Sequence, residues 1–143
     1  MTEFRKLEEG VLVAGQLTEA DIEEAAEQGI RVIINNRPDG EVPGQPESAA
    51  LEAKAHELGL EYAYMPVVSG RITPEQIEEF GEALEAGDEV LAFCRTGNRS
   101  ACLWGLARAM GGGDPHDLAD AAAGAGYDLS GLLPMMEELA KEA

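Results

Sequence analysis

The chain has 143 residues, 45% of them hydrophobic, which is enough for one domain with a full core, so a single domain over residues 1–143 is expected. Its 28 acidic and 10 basic side chains give a net charge of −18, which would repel nucleic acid and anionic membranes and excludes both as expected partners. No apolar run from Met1 onward has the length of a bilayer span, and the first ten residues lack a signal-peptide pattern.

In chain order, Val11 to Ala14 is a short apolar run. Thr18, with Asp21 three residues on, reads as a helix start and Gly29 as its stop. Arg31 to Asn35 is then a buried strand, and Asn36 to Gln45 is a loop because it holds Pro-Asp-Gly and Pro-Gly. Glu47 to Leu58, closed by Gly59, is a second helix, followed by a strand from Glu61 to Val67. Thr73-Pro74-Glu75-Gln76 combines an N-cap, a first-turn proline and a capping glutamine, opening a helix to about Ala86 that Gly87 ends. Val90 to Phe93 is the central strand, a six-residue loop runs from Cys94 to Arg99, and a helix begins near Ser100. After Gly111 to Gly113, Asp114-Pro115 opens a short helix, and Ser130 onward gives a C-terminal one.

Strands alternating with helices of this length predict an α/β fold, a mostly parallel sheet with helices on both faces. In such sheets the site lies at the carboxyl ends of the strands, so Cys94, the loop after Asn35 and the loop after Pro66 should share one crevice. A loop running into a helix turns free backbone N–H groups inward, and the helix dipole adds partial positive charge there. Cys94 sits where a thiolate would be stabilised, and Arg95, Thr96, Gly97, Asn98 and Arg99 form an anion cradle around it. Arg95 and Arg99 are isolated positive charges in a negative field. Arg37 is placed either to bind the same anion or to brace its own loop through Asp39 or Glu41.

Cys94 and Cys102 are eight residues apart, one before a helix and one within it, which argues against a disulfide framework. Free thiols point to a reducing compartment, and a cytoplasmic location is expected. Cys102, beside Leu103 and Leu106, reads as core rather than as a resolving thiol, and Trp104 as core or pocket wall. His56 and His116 are the only histidines, so neither a metal nor another cofactor is expected. Tyr127-Asp128 either lines the crevice or locks the last helix, and the sequence leaves that choice open, as it does the oligomeric state.

The segment Cys94-Arg95-Thr96-Gly97-Asn98-Arg99-Ser100 resembles the active loops of the protein tyrosine and dual-specificity phosphatases and of the rhodanese sulfurtransferases. The phosphatases place five residues between cysteine and arginine, with Ser or Thr following, whereas four separate Cys94 from Arg99. Rhodanese-type loops run six residues from the cysteine and often begin Cys-Arg-x-Gly, the length and start found here. Beyond the loop, Val32 to Glu41, Met65-Pro66-Val67, Trp104 and Ala125 to Leu129 resemble a bacterial and archaeal family described both as phosphatase-like and as sulfur transferase, found alone or fused to β-lactamase-like hydrolases. That resemblance implies a protein tyrosine phosphatase-like fold carrying a short cysteine loop.

Phosphatases also need an acid for the leaving oxygen, usually an Asp in the loop before the catalytic strand. Val67-Val68-Ser69-Gly70-Arg71 has none, Ser69 falling near its place, and Asp39 or Glu41 is the substitute on offer. The leading expectation is therefore sulfur transfer. Cys94 would take sulfane sulfur from thiosulfate or a persulfide, the Arg95 to Arg99 amides would hold it, Arg95 or Arg99 would bind the donor and the Ser100 hydroxyl would bond the Cys94 sulfur, before a thiol acceptor removed the sulfur. The alternative is a phosphatase acting through a Cys94 thiophosphate with Arg99 clamping the equatorial oxygens. A third reading is a sensing module that keeps the cradle without turnover.

Overall fold

In the computed structural model, which describes residues 2–143, five short strands form one sheet. They are β1 (Arg5–Glu8), β2 (Val11–Ala14), β3 (Val32–Asn35), β4 (Glu61–Tyr64) and β5 (Val90–Phe93), in the spatial order β1-β2-β5-β3-β4. The β5 residues are all buried, and β5 pairs in parallel with both β2 and β3, aligning Ala14 and Asn35 with Phe93. Only β1 runs antiparallel, folded back on β2 as a hairpin. The three central strands therefore end at one edge, where their following loops meet.

Helices α1 (Glu19–Glu27) and α2 (Ser48–Glu57) pack together, while α3 (Pro74–Ala86), α4 (Asn98–Met110), α5 (Pro115–Gly124) and α6 (Leu133–Lys141) form a second group around α4. Two apolar clusters correspond to these groups. One joins Leu17, Ile22, Leu51, Ile33, Leu91 and Phe93; the other joins Ile34, Ala92, Phe80, Leu103, Trp104 and Leu129. Alternate residues of β3 and β5 thus enter opposite cores, the signature of a sheet covered on both faces.

The capping chemistry works as the sequence predicts at α1 and α3, where the Thr18 and Thr73 hydroxyls accept the Asp21 and Gln76 N–H groups and those side chains bond back. Elsewhere the elements depart from the expected bounds, beyond one-residue shifts at the ends of β3 and α2. Strand β1 was not foreseen, because in Arg-Lys-Leu-Glu only Leu7 is buried and the run is too short to show a period. β4 stops at Tyr64 rather than Val67, since Met65 and Val67 donate their N–H groups to the Asn35 and Asn36 carbonyls as the chain leaves the sheet. Helix α4 begins at Asn98, and α6 at Leu133 after a 3₁₀ turn at Ser130–Leu132.

Candidate active site

Cys94 follows the last residue of β5 and is 1% exposed. Its N–H reaches the Ala14 carbonyl at 3.4 Å, and the Gln16 N–H reaches the Arg95 carbonyl at 3.1 Å, so the chain after β2 clamps the start of the loop. The loop then turns at Gly97, whose φ of +95° is the left-handed region that favours glycine. That turn aims the Gly97 N–H at Cys94 Sγ, 3.1 Å away, and launches α4. The sulfur is therefore held by a backbone donor at a helix N-terminus.

Arg99, in the first turn of α4, has a side chain only 9% exposed. Its Nη1 donates to Glu41 Oε2 at 2.8 Å and to the Val67 carbonyl at 3.0 Å, while Nη2 donates to Glu41 Oε1 at 2.9 Å. Of the five guanidinium hydrogens, the Nε hydrogen and one on Nη2 remain, and they lie on the same edge. Glu41 and Val67 thus fix Arg99 from behind and leave a two-pronged donor edge for an incoming oxyanion. The guanidinium pKa is raised above its usual value, mainly by Glu41 and further by the charge of the adjacent Cys94, with burial opposing.

Glu41 also accepts Arg37 Nε at 2.8 Å, and Arg37 Nη1 donates to Gln16 Oε1 at 2.9 Å. Arg37 is 3% exposed, with Nε and Nη1 engaged by its own loop and by Gln16, which supports the bracing alternative over the anion-binding one. Asp39 is also placed differently from its expected role as an acid. Its Oδ1 accepts the Ser48 N–H at 2.8 Å, supplying the cap that Glu47 does not give α2. Glu41 is the carboxylate that reaches the site, and hydrogen bonds from Arg99 first and then Arg37 hold its carboxyl down to about 2 from a usual 4.5, against burial. It is an anion near neutrality and does not serve as a proton donor in this arrangement.

Ser100 is fully buried, but its hydroxyl donates to Asn36 Oδ1 at 2.8 Å rather than to Cys94, correcting the expected sulfur contact. Asn36 Nδ2 in turn donates to the Met65 carbonyl at 2.9 Å, so Ser100 ties α4 to the loops after β3 and β4. A cleft of about 430 Å³ lies against the loop, lined by Glu41, Ser69, Arg95, Thr96, Asn98 and Arg99. Ser69 does stand in the wall where an acid was sought, and Glu41 is the sole carboxylate in that lining. Gln16, Asn36 and the Val67 carbonyl are supports that the sequence did not single out.

Trp104 is core, with Nε1 donating to Glu8 at 2.8 Å, and His56 and His116 are exposed. Among the described residues no group of His, Cys, Asp and Glu is arranged to hold a metal, and no helix is long and apolar enough to cross a membrane. Cys102 is half-buried, its thiol pushed up to about 11 by burial and then by the charge of Cys94. A neutral thiol is a poor resolving nucleophile. Cys102→Ala is accordingly expected to keep full turnover in either chemistry, and a loss of activity in that variant would assign it a resolving role.

The description "Beta-lactamase hydrolase-like protein, phosphatase-like domain" belongs to the family whose profile matches residues 3–111. The chain belongs to that family. Its relatives include β-lactamase hydrolase-like proteins of Agrobacterium fabrum and Xylella fastidiosa, each 34% identical over 92% and 94% of this chain. The chain spans only about a third of their length, 31% and 32% respectively. Among solved structures, a candidate phosphatase from Neisseria meningitidis is 34% identical with a TM-score of 0.84, covering 94% of this chain and 96% of that one. PTPMT1, at 16% identity and a TM-score of 0.77, covers 98% of this chain and 95% of its own, and shows the shared protein tyrosine phosphatase-like fold alone. The phosphatase-like domain therefore carries the α/β architecture expected of it, and the family description with the Neisseria structure favours phosphatase chemistry over sulfur transfer.

Proposed function

We propose that this phosphatase-like domain hydrolyses phosphate monoesters that have good leaving groups, with Cys94 as nucleophile. The observation that carries the reading is the open donor edge of Arg99, held beside Cys94 by Glu41 and Val67. The Cys94 thiolate attacks phosphorus, the sulfur–phosphorus bond forms, and the ester oxygen leaves with the electron pair of the broken bond. Arg99 and the loop amides gather the phosphoryl oxygens as charge spreads over them. Water then attacks the thiophosphate, releasing phosphate and the thiolate.

Because Glu41 is committed to two arginines and Ser69 stands in the acid's place, the leaving oxygen departs with little help. Aryl phosphates should therefore turn over at rates that fall steeply as the phenol pKa rises, with alkyl phosphates inert. The cleft lining holds no aromatic side chain to embrace a phenyl ring, which favours small polar substrates over phosphotyrosine peptides.

Sulfur transfer stays as a second reading because the four-residue spacing makes a small ring of amides and because a sulfite leaving group needs no acid. Two measurements separate the readings. Aryl phosphate hydrolysis that vanishes in Cys94→Ser, with no mass change on thiosulfate, supports the phosphatase. A gain of one sulfur on thiosulfate, discharged by cyanide or glutathione and absent in Cys94→Ser, with no phosphate released, sinks it in favour of the transferase. A sulfur adduct that no acceptor discharges points to the sensing module.

A further inference from the structure

A second cleft of about 430 Å³ also borders the active loop, lined by Arg5, Thr96, Asn98, Gly126 and Tyr127. It shares Thr96 and Asn98 with the cleft at Arg99, so the two adjoin at the loop. Its cation is held in place by one segment, residues 125–127, about 120 residues further along the chain. Arg5 Nη1 donates to the Ala125 carbonyl at 2.8 Å. The guanidinium lies 5.9 Å from the centroid of the Tyr127 ring, within cation–π range. Gly126 has φ of +95°, and a Cβ there would overlap Arg5 Nη1, so the glycine makes room for the guanidinium.

Arg5 is not consumed by these contacts. Among the described residues its one ion-pair partner is Glu3 at 3.5 Å, both side chains being exposed, a pairing worth little in water. The remaining hydrogens are free for a ligand. Among the described residues the Asn98 side chain forms no hydrogen bond, although its backbone N–H is bonded to Thr96 Oγ1. In a chain of net charge −18, Arg5, Arg95 and Arg99 gather around one loop and concentrate positive potential there. A clip tying β1 to the segment after α5 would account for the Ala125 bond alone. It would not call for an open cleft sharing two walls with the reactive one.

We propose that the Arg5 cleft is a second anion subsite, and that the substrate carries another acidic group a few bonds from the one seated over Cys94. This rests on the reading that the Cys94 loop receives an oxyanion, and it narrows the substrate class to small compounds with two acidic groups. Tyr127 links the two positions, since its hydroxyl donates to the Thr96 carbonyl at 3.3 Å.

Calorimetric titration with inorganic phosphate and with a ladder of alkylene bisphosphonates tests the proposal without any turnover. Two tethered groups that reach both subsites gain an effective concentration, so one chain length should bind at least about tenfold more tightly than phosphate. In Arg5→Gln the ratio of bisphosphonate to phosphate affinity should collapse toward unity, and Arg5→Lys should keep part of it. No gain at any chain length in the wild type overturns the subsite, as does a ratio untouched by Arg5→Gln. Failure of phosphate itself to bind marks the collapse of the oxyanion reading and takes the subsite with it.

Discussion

Glu41→Gln is expected to cost about 3 kcal/mol of stability and roughly a hundredfold in turnover, from one side chain that acts through Arg99. The stability loss follows from what remains behind. Arg37 and Arg99 have side chains 4% and 9% exposed, and both give charged hydrogen bonds to the same carboxylate. A neutral amide with its oxygen in the Oε1 place still accepts from both, but its nitrogen turns donor hydrogens toward Arg99 Nη1, and the two buried cations lose their compensating charge. The catalytic loss follows from geometry, since Glu41 sets the angle at which Arg99 presents its free edge, and misplacement by about 1 Å is worth about a hundredfold. Arg37→Gln should cost less of both, because Glu41 and the Val67 carbonyl still hold Arg99.

The same pair has a pH signature. The Glu41 carboxyl is lowered from 4.5 to about 2, so its contribution is complete above the unfolded value and is lost as pH falls through the folded one. The stability difference between wild type and Glu41→Gln should therefore hold constant above about pH 5 and shrink between 4.5 and about 2. Paired acid-denaturation curves measure it. A difference that stays flat to the lowest pH would show that Glu41 is not the ionised partner of the two arginines.

Much of this site is legible from residue order because it is local. Cys94, Gly97 and Arg99 lie within one strand–loop–helix unit, and the parallel sheet that aims it follows from the alternation of capped helices with short apolar runs. What escaped the sequence is long-range. Glu41 sits 58 residues before Arg99 in a Pro and Gly-rich loop, where any of several carboxylates had an equal claim. Asp39, on offer as an acid beside Glu41, instead caps α2 from nine residues upstream because Glu47 makes no cap of its own. Ser100 was read by its distance from Cys94 along the chain, whereas a helix turn carries its hydroxyl away from the loop, onto Asn36. Tyr127 was undecidable for the same reason, its partner Thr96 lying 31 residues earlier.

That last contact sets up the second large effect. Gly97→Ala should cost about 3 kcal/mol and reduce kcat by roughly a hundredfold. An L residue is strained at φ of +95°, and its Cβ would overlap the Tyr127 hydroxyl while standing 2.9 Å from Tyr127 Cζ and 3.2 Å from the Ala14 carbonyl. Relief requires the loop to shift, which draws the Gly97 N–H away from Cys94 Sγ and removes a donor from the nucleophile. Tyr127→Phe alone gives up one long hydrogen bond and should cost no more than about 1.5 kcal/mol. Combined with Gly97→Ala it removes the group that the new methyl strikes first, so the double variant should be more stable than the sum of the singles by about 1 kcal/mol. Chemical denaturation of the four proteins yields that coupling directly. Additive costs would mean that the strain lies in the backbone alone, and that Tyr127 does not press on the loop that holds Cys94.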